Sequence, residues 1–249
     1  MNLIHAANYE DMAEKAAQIL IDQVRERPDS VLGLATGSTP LGIYKRLIAA
    51  YEQGKLSFAA VRSINLDEYC GLSGEDSQSY RWYMRENLFR HVDIAPKNTH
   101  VPDGMAADTD AECIRYDALL RELGGTDIQL LGLGHTGHIG FNEPDEQFPV
   151  GTHRVTLAQA TIDANARFFE DISRVPRHAI TMGIAGIFSA KHILLCVNGA
   201  DKAEILAKTL EGPVTPLVPA SVLQLHPNVT VIADEAALSA LKGAKTACC

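Results

Sequence analysis

Three clusters in this sequence combine residue types and spacing suited to chemistry. One is the run Gly134-His135-Thr136-Gly137-His138-Ile139-Gly140-Phe141-Asn142-Glu143-Pro144, one the adjacent carboxylates Asp67-Glu68, and one the run Ala35-Thr36-Gly37-Ser38-Thr39-Pro40. A histidine and a glutamate in a glycine-rich loop suit proton transfer at an oxygen near neutral pH. A carboxylate at the end of an apolar strand, in a partly dry site, can take a proton from carbon; the same residue types also serve as loop carboxylates or helix caps. In the third run, glycine permits a tight turn with exposed amides, the hydroxyls of Ser38 and Thr39 add donors, and Pro40 suits a first helical turn. Such a helix start can hold a phosphate, although an ordinary capped turn uses the same residues. The run lacks the lysine of a nucleoside-triphosphate loop.

Two other readings of the histidine cluster compete. Gly132 to Gly137 spells G-x-G-x-x-G after an apolar strand, as in dinucleotide sites, but Gly140 and Pro144 leave no long helix to receive a pyrophosphate. His135, His138 and Glu143 are also metal-ligand types, yet their spacing matches neither H-E-x-x-H nor a Cys/His zinc pattern. The expectation is a site without metal or cofactor.

The elements that position these clusters follow from apolar periodicity. A first amphipathic helix is predicted over Met12 to Val24, then a buried strand over Val31 to Ala35 and a helix over Leu41 to Tyr51. A strand over Val61 to Leu66, a polar loop and a helix over Gln78 to Phe89 come next. Ile128 to Leu133, His192 to Val197 and Val229 to Ala233 read as further strands, with a helix over Lys202 to Leu210. Short apolar strands alternating with helices imply an α/β fold, a single doubly wound, mostly parallel sheet with helices on both faces. Ligands of such sheets bind beyond the carboxyl ends of the strands, where all three clusters fall.

The chain has 249 residues, enough for one large core, and the expected organisation is one domain over 1–241 with a disordered tail over 242–249. A formal charge of -9 and a pI near 5.4 disfavour nucleic acid and acidic membranes as partners, so a small anionic substrate needs a locally built site. The start carries no export signal and no apolar run is long enough to span a bilayer, so a cytoplasmic protein is expected. The five cysteines include no C-x-x-C pair and read as reduced thiols.

Taken together, ATGSTP, NLDEY and GHIGFNEP resemble the glucosamine-6-phosphate deaminase family. The likeness extends to Asn165-Ala166-Arg167-Phe168-Phe169, similar to that family's lid segment, to Lys202 after a strand, and to Ser221 through Pro227, and so covers about Leu3 to Asp234. It implies a cofactor-independent, aldose–ketose isomerising deaminase, a hydrolase of amino sugar catabolism that converts glucosamine 6-phosphate and water to fructose 6-phosphate and ammonia. By position, Asp67 corresponds to the base that moves a proton from carbon 2 to carbon 1, and His138 and Glu143 to the ring-opening residues. Gly37, Ser38, Thr39, Gly132, Gly140, Arg167 and Lys202 correspond to substrate-binding positions, with Gly37, Ser38, Thr39, Arg167 and Lys202 on the phosphate.

The family's usual Asp or Asn two positions before the histidine is here Thr136, which implies either slower ring opening or a larger share of the orientation for Glu143. His153 and Val155 replace a basic pair of the hexameric, allosterically activated branch, so a monomer or small homo-oligomer without that activation is expected. Two alternatives share the fold. A 6-phosphogluconolactonase needs no carbon base, and a sugar-responsive transcriptional regulator needs a helix-turn-helix extension, which no segment before Val31 supplies.

Overall fold

The computed structural model describes residues 1–159, 162 and 175–242. The segment Asn165 to Phe169, with Arg167, and the tail from 243 onward, with Cys248 and Cys249, lie outside the described residues.

Strands β1 (Asn2–Ala6), β2 (Val31–Leu34), β3 (Arg62–Asn65), β5 (Thr99–His100), β6 (Ile128–Gly132), β9 (His192–Val197) and β10 (Val229–Asp234) form one parallel sheet. Their order is β1-β10-β9-β6-β2-β3-β5. The residues of β2 and β10 are buried throughout, as expected of strands covered on both faces, which is why they appear in the sequence as apolar runs without alternation. From β2 the chain moves outward to β3, but β6 lies on the other side of β2. The direction of winding therefore reverses between β2 and β6, and a crevice opens there beyond the strand ends.

Helix α1 (Tyr9–Glu26) starts where the Asn8 side chain accepts a hydrogen bond from the Asp11 amide at 3.0 Å. It buries Met12, Ala13, Ala16, Leu20 and Val24 at helical spacing and packs against α2 (Leu41–Glu52) and against β10 and β9. Each large apolar side chain so buried contributes about 1.5–3 kcal/mol. Helix α3 (Tyr80–Asn87) is capped by Ser79, and α4 (Thr109–Glu122) by Asp108. Tyr116 of α4 donates to the Asn65 carbonyl at 2.8 Å, fixing the end of β3 from which the first carboxylate emerges. Helices α5 (Ile184–Phe188), α6 (Ala203–Glu211) and α7 (Glu235–Leu238) complete the described set.

Beyond β1, β5 and α4, which no predicted element covers, a second sheet departs from the expectation of a single one. The polar loop predicted after β3 begins with a strand, β4 (Asp67–Tyr69), which pairs antiparallel with β8 (His178–Thr181), itself paired with β7 (His153–Thr156). Three residues are too few to show alternation, and the pairing partner lies more than a hundred positions along the chain, so no local pattern marks it. No described helix is long and apolar enough to cross a membrane.

Candidate active site

The carboxyl ends of β2, β3, β6 and β9 open on one cleft of about 590 Å³. Gly37, Ser38 and Thr39 line it from β2, Asp67 from β4, Gly132, Thr136, His138 and Gly140 from the loop after β6, and Lys202 from beyond β9. The structure thus brings the three sequence clusters together with Lys202, and Glu143 stands directly against His138. Arg167 falls among the residues not described.

Strand alternation divides the two carboxylates. Glu68 turns away from the cleft: Oε1 accepts from the amides of Tyr69 (2.8 Å) and Tyr80 (2.9 Å), and Oε2 from Arg81 (2.9 Å). It is a structural anchor for the start of α3, the helix-cap alternative realised. Asp67 turns inward, 6% exposed, and no hydrogen bond reaches its carboxylate among the described residues. Burial, followed by the nearby charge of Glu68, pushes its pKa up to about 8. A base poised near neutrality and short of hydrogen bonds retains its basicity for a substrate proton.

That shift has a consequence for stability. The ordinary Asp value is 3.8, so between there and about 8 the folded chain holds a proton that the unfolded chain has lost, and stability falls as pH rises through this window. Asp67→Asn removes the titration. Its melting temperature should exceed the parent's by a margin that widens from pH 4 to about 8 and then levels, and an equal margin at pH 5 and pH 8 would show that Asp67 ionises normally.

His138 is set by a compact polar cluster. Thr136 Oγ1 lies 2.8 Å from both His138 Nδ1 and Glu143 Oε2, and Glu143 Oε2 is 3.1 Å from Nδ1. The threonine hydroxyl donates to the carboxylate, so Nδ1 carries a proton and donates within the cluster, leaving Nε2 as the exchanging atom. The loop closes tightly around the ring: the Gly134 amide donates to the His138 carbonyl at 2.9 Å, and a Cβ at Gly134 would fall 2.1 Å from Nε2. The Ala220 amide, at the edge of the Ser221-to-Pro227 stretch, donates to the Gly137 carbonyl at 2.8 Å. His135 also lines the cleft but pairs with Asp201 at 2.7 Å instead of joining the His138 cluster. The two histidines therefore do not converge, and among the described residues no group of three His, Cys, Asp or Glu side chains is placed to hold a metal ion.

On the opposite wall, burial depresses the pKa of Lys202 to about 8, with Asp201 opposing the shift. Its turn is pinned by Asp234, which accepts from the Gly199 amide at 3.1 Å and from the Ala237 amide at 2.8 Å.

A family model described as glucosamine-6-phosphate isomerases/6-phosphogluconolactonase matches residues 5–232. The chain belongs to this family. Among its relatives, the glucosamine-6-phosphate deaminase of Lachnoclostridium phytofermentans is 60% identical over 232 residues, 93% of this chain and 98% of the relative. That of Geobacillus sp. is 58% identical over 239 residues, 96% of this chain and 95% of its own. A solved monomeric glucosamine-6-phosphate deaminase superposes with a TM-score of 0.94 at 49% identity, over 96% of this chain and 100% of that one. A 6-phosphogluconolactonase from Trypanosoma cruzi, at a TM-score of 0.76 and 18% identity, covers 97% of each chain and shares the fold.

The sequence reading of this family member overlooked several cleft residues. Asn198 follows β9 directly, and its Oδ1 accepts from Thr39 Oγ1 at 3.5 Å; scanning the residue after each apolar strand would have found it. Tyr80 lines the cleft while stacked on Phe141, with centroids 6.0 Å apart, and its position inside a helix start gave no signal. Cys196 also reaches the cleft, but burial pushes its thiol up to about 12, which leaves it unreactive.

Proposed function

We propose that this chain is a glucosamine-6-phosphate deaminase acting in the cytoplasm, converting glucosamine 6-phosphate and water to fructose 6-phosphate and ammonia. The observation that carries this reading is the presence of two separate proton-transfer groups on one cleft: the desolvated Asp67 carboxylate and the His138–Glu143 pair. A lactone hydrolysis needs no base for carbon, whereas an aldose–ketose conversion needs one group for oxygen and another for carbon.

In the proposed sequence, His138 Nε2 takes the anomeric hydroxyl proton and returns a proton to the ring oxygen, opening the sugar. Glu143 and Thr136 hold the imidazole and stabilise its cationic form. Asp67 then removes the proton on carbon 2. The substrate's ammonium group on that carbon favours the ionised carboxylate, lowering the cost of charging it in a buried site. The ammonium passes a proton to the carbon-1 oxygen as the enolamine forms, Asp67 delivers the carbon-2 proton to carbon 1 to give an iminium at carbon 2, and water adds there as ammonia leaves. The phosphate is held by the amides and hydroxyls of Gly37 to Thr39, with Lys202 and Arg167 supplying charge. Gly132 lines the cleft beside Thr39, and Gly140 beside Asp67. The test is direct: purified protein with glucosamine 6-phosphate and no added metal should release ammonia and fructose 6-phosphate in equal amounts. Failure to do so, together with hydrolysis of 6-phosphogluconolactone, would transfer the chain to the lactonase reading.

Lys202→Ala should raise KM for glucosamine 6-phosphate by about ten- to a hundredfold, the worth of one charge-assisted contact, while changing kcat little. Because Lys202 deprotonates at about 8, kcat/KM should also decline above that pH, and the decline should be absent in the variant. An unchanged KM would remove Lys202 from the phosphate site.

EDTA should leave turnover intact, since each step is assigned to side-chain acids and bases. Loss on chelation, with recovery on adding one divalent ion, would contradict the proposed chemistry.

A further inference from the structure

The loop after β2 is tied down by three phenols from three different helices. Tyr44 of α2 donates to the Ala35 carbonyl at 2.5 Å, and Tyr83 of α3 to the Gly37 carbonyl at 2.6 Å. Tyr9 of α1 donates to the carbonyls of Ser38 and Thr39 at 3.1 and 3.2 Å and accepts from the Gly42 amide at 2.8 Å. None of the three phenols lines the cleft, whereas Ala35, Thr36, Gly37, Ser38 and Thr39 all do.

A trans peptide carries its carbonyl and its amide on opposite edges of one plane. Holding the carbonyls of Ala35, Gly37 and Ser38 on the far side therefore turns the amides of Thr36, Ser38 and Thr39 toward the cleft. Among the described residues these three amides, and that of Gly37, have no acceptor. Unpaired amides converging on one space form an anion nest. Gly37 has a φ of 92°, a region glycine enters without steric cost, so its own conformational preference does not fix the direction of its peptide. Reversal would present a carbonyl to the phosphate.

We infer that Tyr9, Tyr44 and Tyr83 are positioning residues that hold the Ala35-to-Thr39 loop in its anion-accepting orientation before substrate arrives. Burial keeps Tyr44 and Tyr83 protonated far above neutrality, so both remain donors throughout the working range. Preorganisation of this kind lowers the ordering cost that binding would otherwise bear. The inference rests on the reading of this loop as a phosphate site.

The test uses Tyr83→Phe and Tyr9→Phe, which keep the ring and lose the hydroxyl, with inorganic phosphate as a competitive probe and Lys202→Ala as reference. Because the two tyrosines lie on different helices, either variant suffices if the other folds poorly. The expected result is a parallel rise of about three- to tenfold in KM for glucosamine 6-phosphate and in the inhibition constant of phosphate, with kcat within about twofold of the parent. A merely structural hydroxyl would shift the melting temperature and leave both constants in place. If both constants stay put in the Phe variants while Lys202→Ala weakens both, the tyrosines do not position the loop and the phosphate reading stands. If Lys202→Ala also changes neither and phosphate does not inhibit, the phosphate reading itself fails and the inference with it.

Discussion

Asp67→Asn is expected to lower kcat by about two to four orders of magnitude while leaving KM for glucosamine 6-phosphate within a few-fold of the parent. The substitution keeps size and polarity and removes the one group assigned to carbon. Binding should survive because the phosphate contacts proposed at Gly37 to Thr39 and Lys202 lie on the loops after β2 and β9, away from the strand that carries Asp67. The loss should be equal for cyclic and open-chain substrate, since enolisation follows ring opening in both cases. Steady-state kinetics with an ammonia-coupled assay measures this, and a variant retaining a tenth or more of parental kcat would place the carbon base elsewhere. Glu68→Gln is a useful contrast. Its carboxylate is engaged by three backbone amides, so its replacement should lower thermal stability, and the loss of its charge should also bring the Asp67 pKa down without removing the base.

The second large effect is expected at His138. His138→Gln retains hydrogen bonding but can neither take up nor release a proton, and turnover of the cyclic sugar should fall by about two to four orders of magnitude. Substrate presented transiently in the open-chain form should bypass that loss, reacting in single-turnover experiments much faster than the ring. Thr136→Asp should act in the opposite direction. A carboxylate beside Nδ1, where a hydroxyl now lies at 2.8 Å, would raise the basicity of the imidazole and accelerate ring opening. Equal impairment of both substrate forms in His138→Gln would mean that the histidine serves the carbon steps as well.

The site was legible in the sequence to the extent that it is built from strand ends. Buried parallel strands appear as short apolar runs, and the residues that follow them must face the crevice; Gly37 to Thr39, Asp67 and His138 line the cleft as that rule expects, whereas Lys202 came from the family resemblance alone. The division of labour between Asp67 and Glu68 was not legible, because it depends on pairing Asp67 with Thr181 and Glu68 with Ile180 in the small antiparallel sheet, a contact between distant segments. Helix α4 was passed over because its buried side includes Glu112 beside Cys113, Tyr116 and Leu120, which blurs the apolar stripe. The three tyrosines behind the Ala35-to-Thr39 loop were hidden for a related reason. An aromatic residue within an amphipathic helix reads as core, and nothing local reveals that its hydroxyl ends on a carbonyl of another element.

Assignment of Asp67 as the carbon base is tested most directly by deuterium incorporation at carbon 1 of fructose 6-phosphate, with ammonium present in deuterated water. The parental protein should exchange that position readily. Asp67→Asn should reduce the exchange at least about a hundredfold. His138→Gln should largely retain it, because the open-chain ketose already present in solution needs no ring opening. Exchange in Asp67→Asn at the parental rate would contradict the account at its centre.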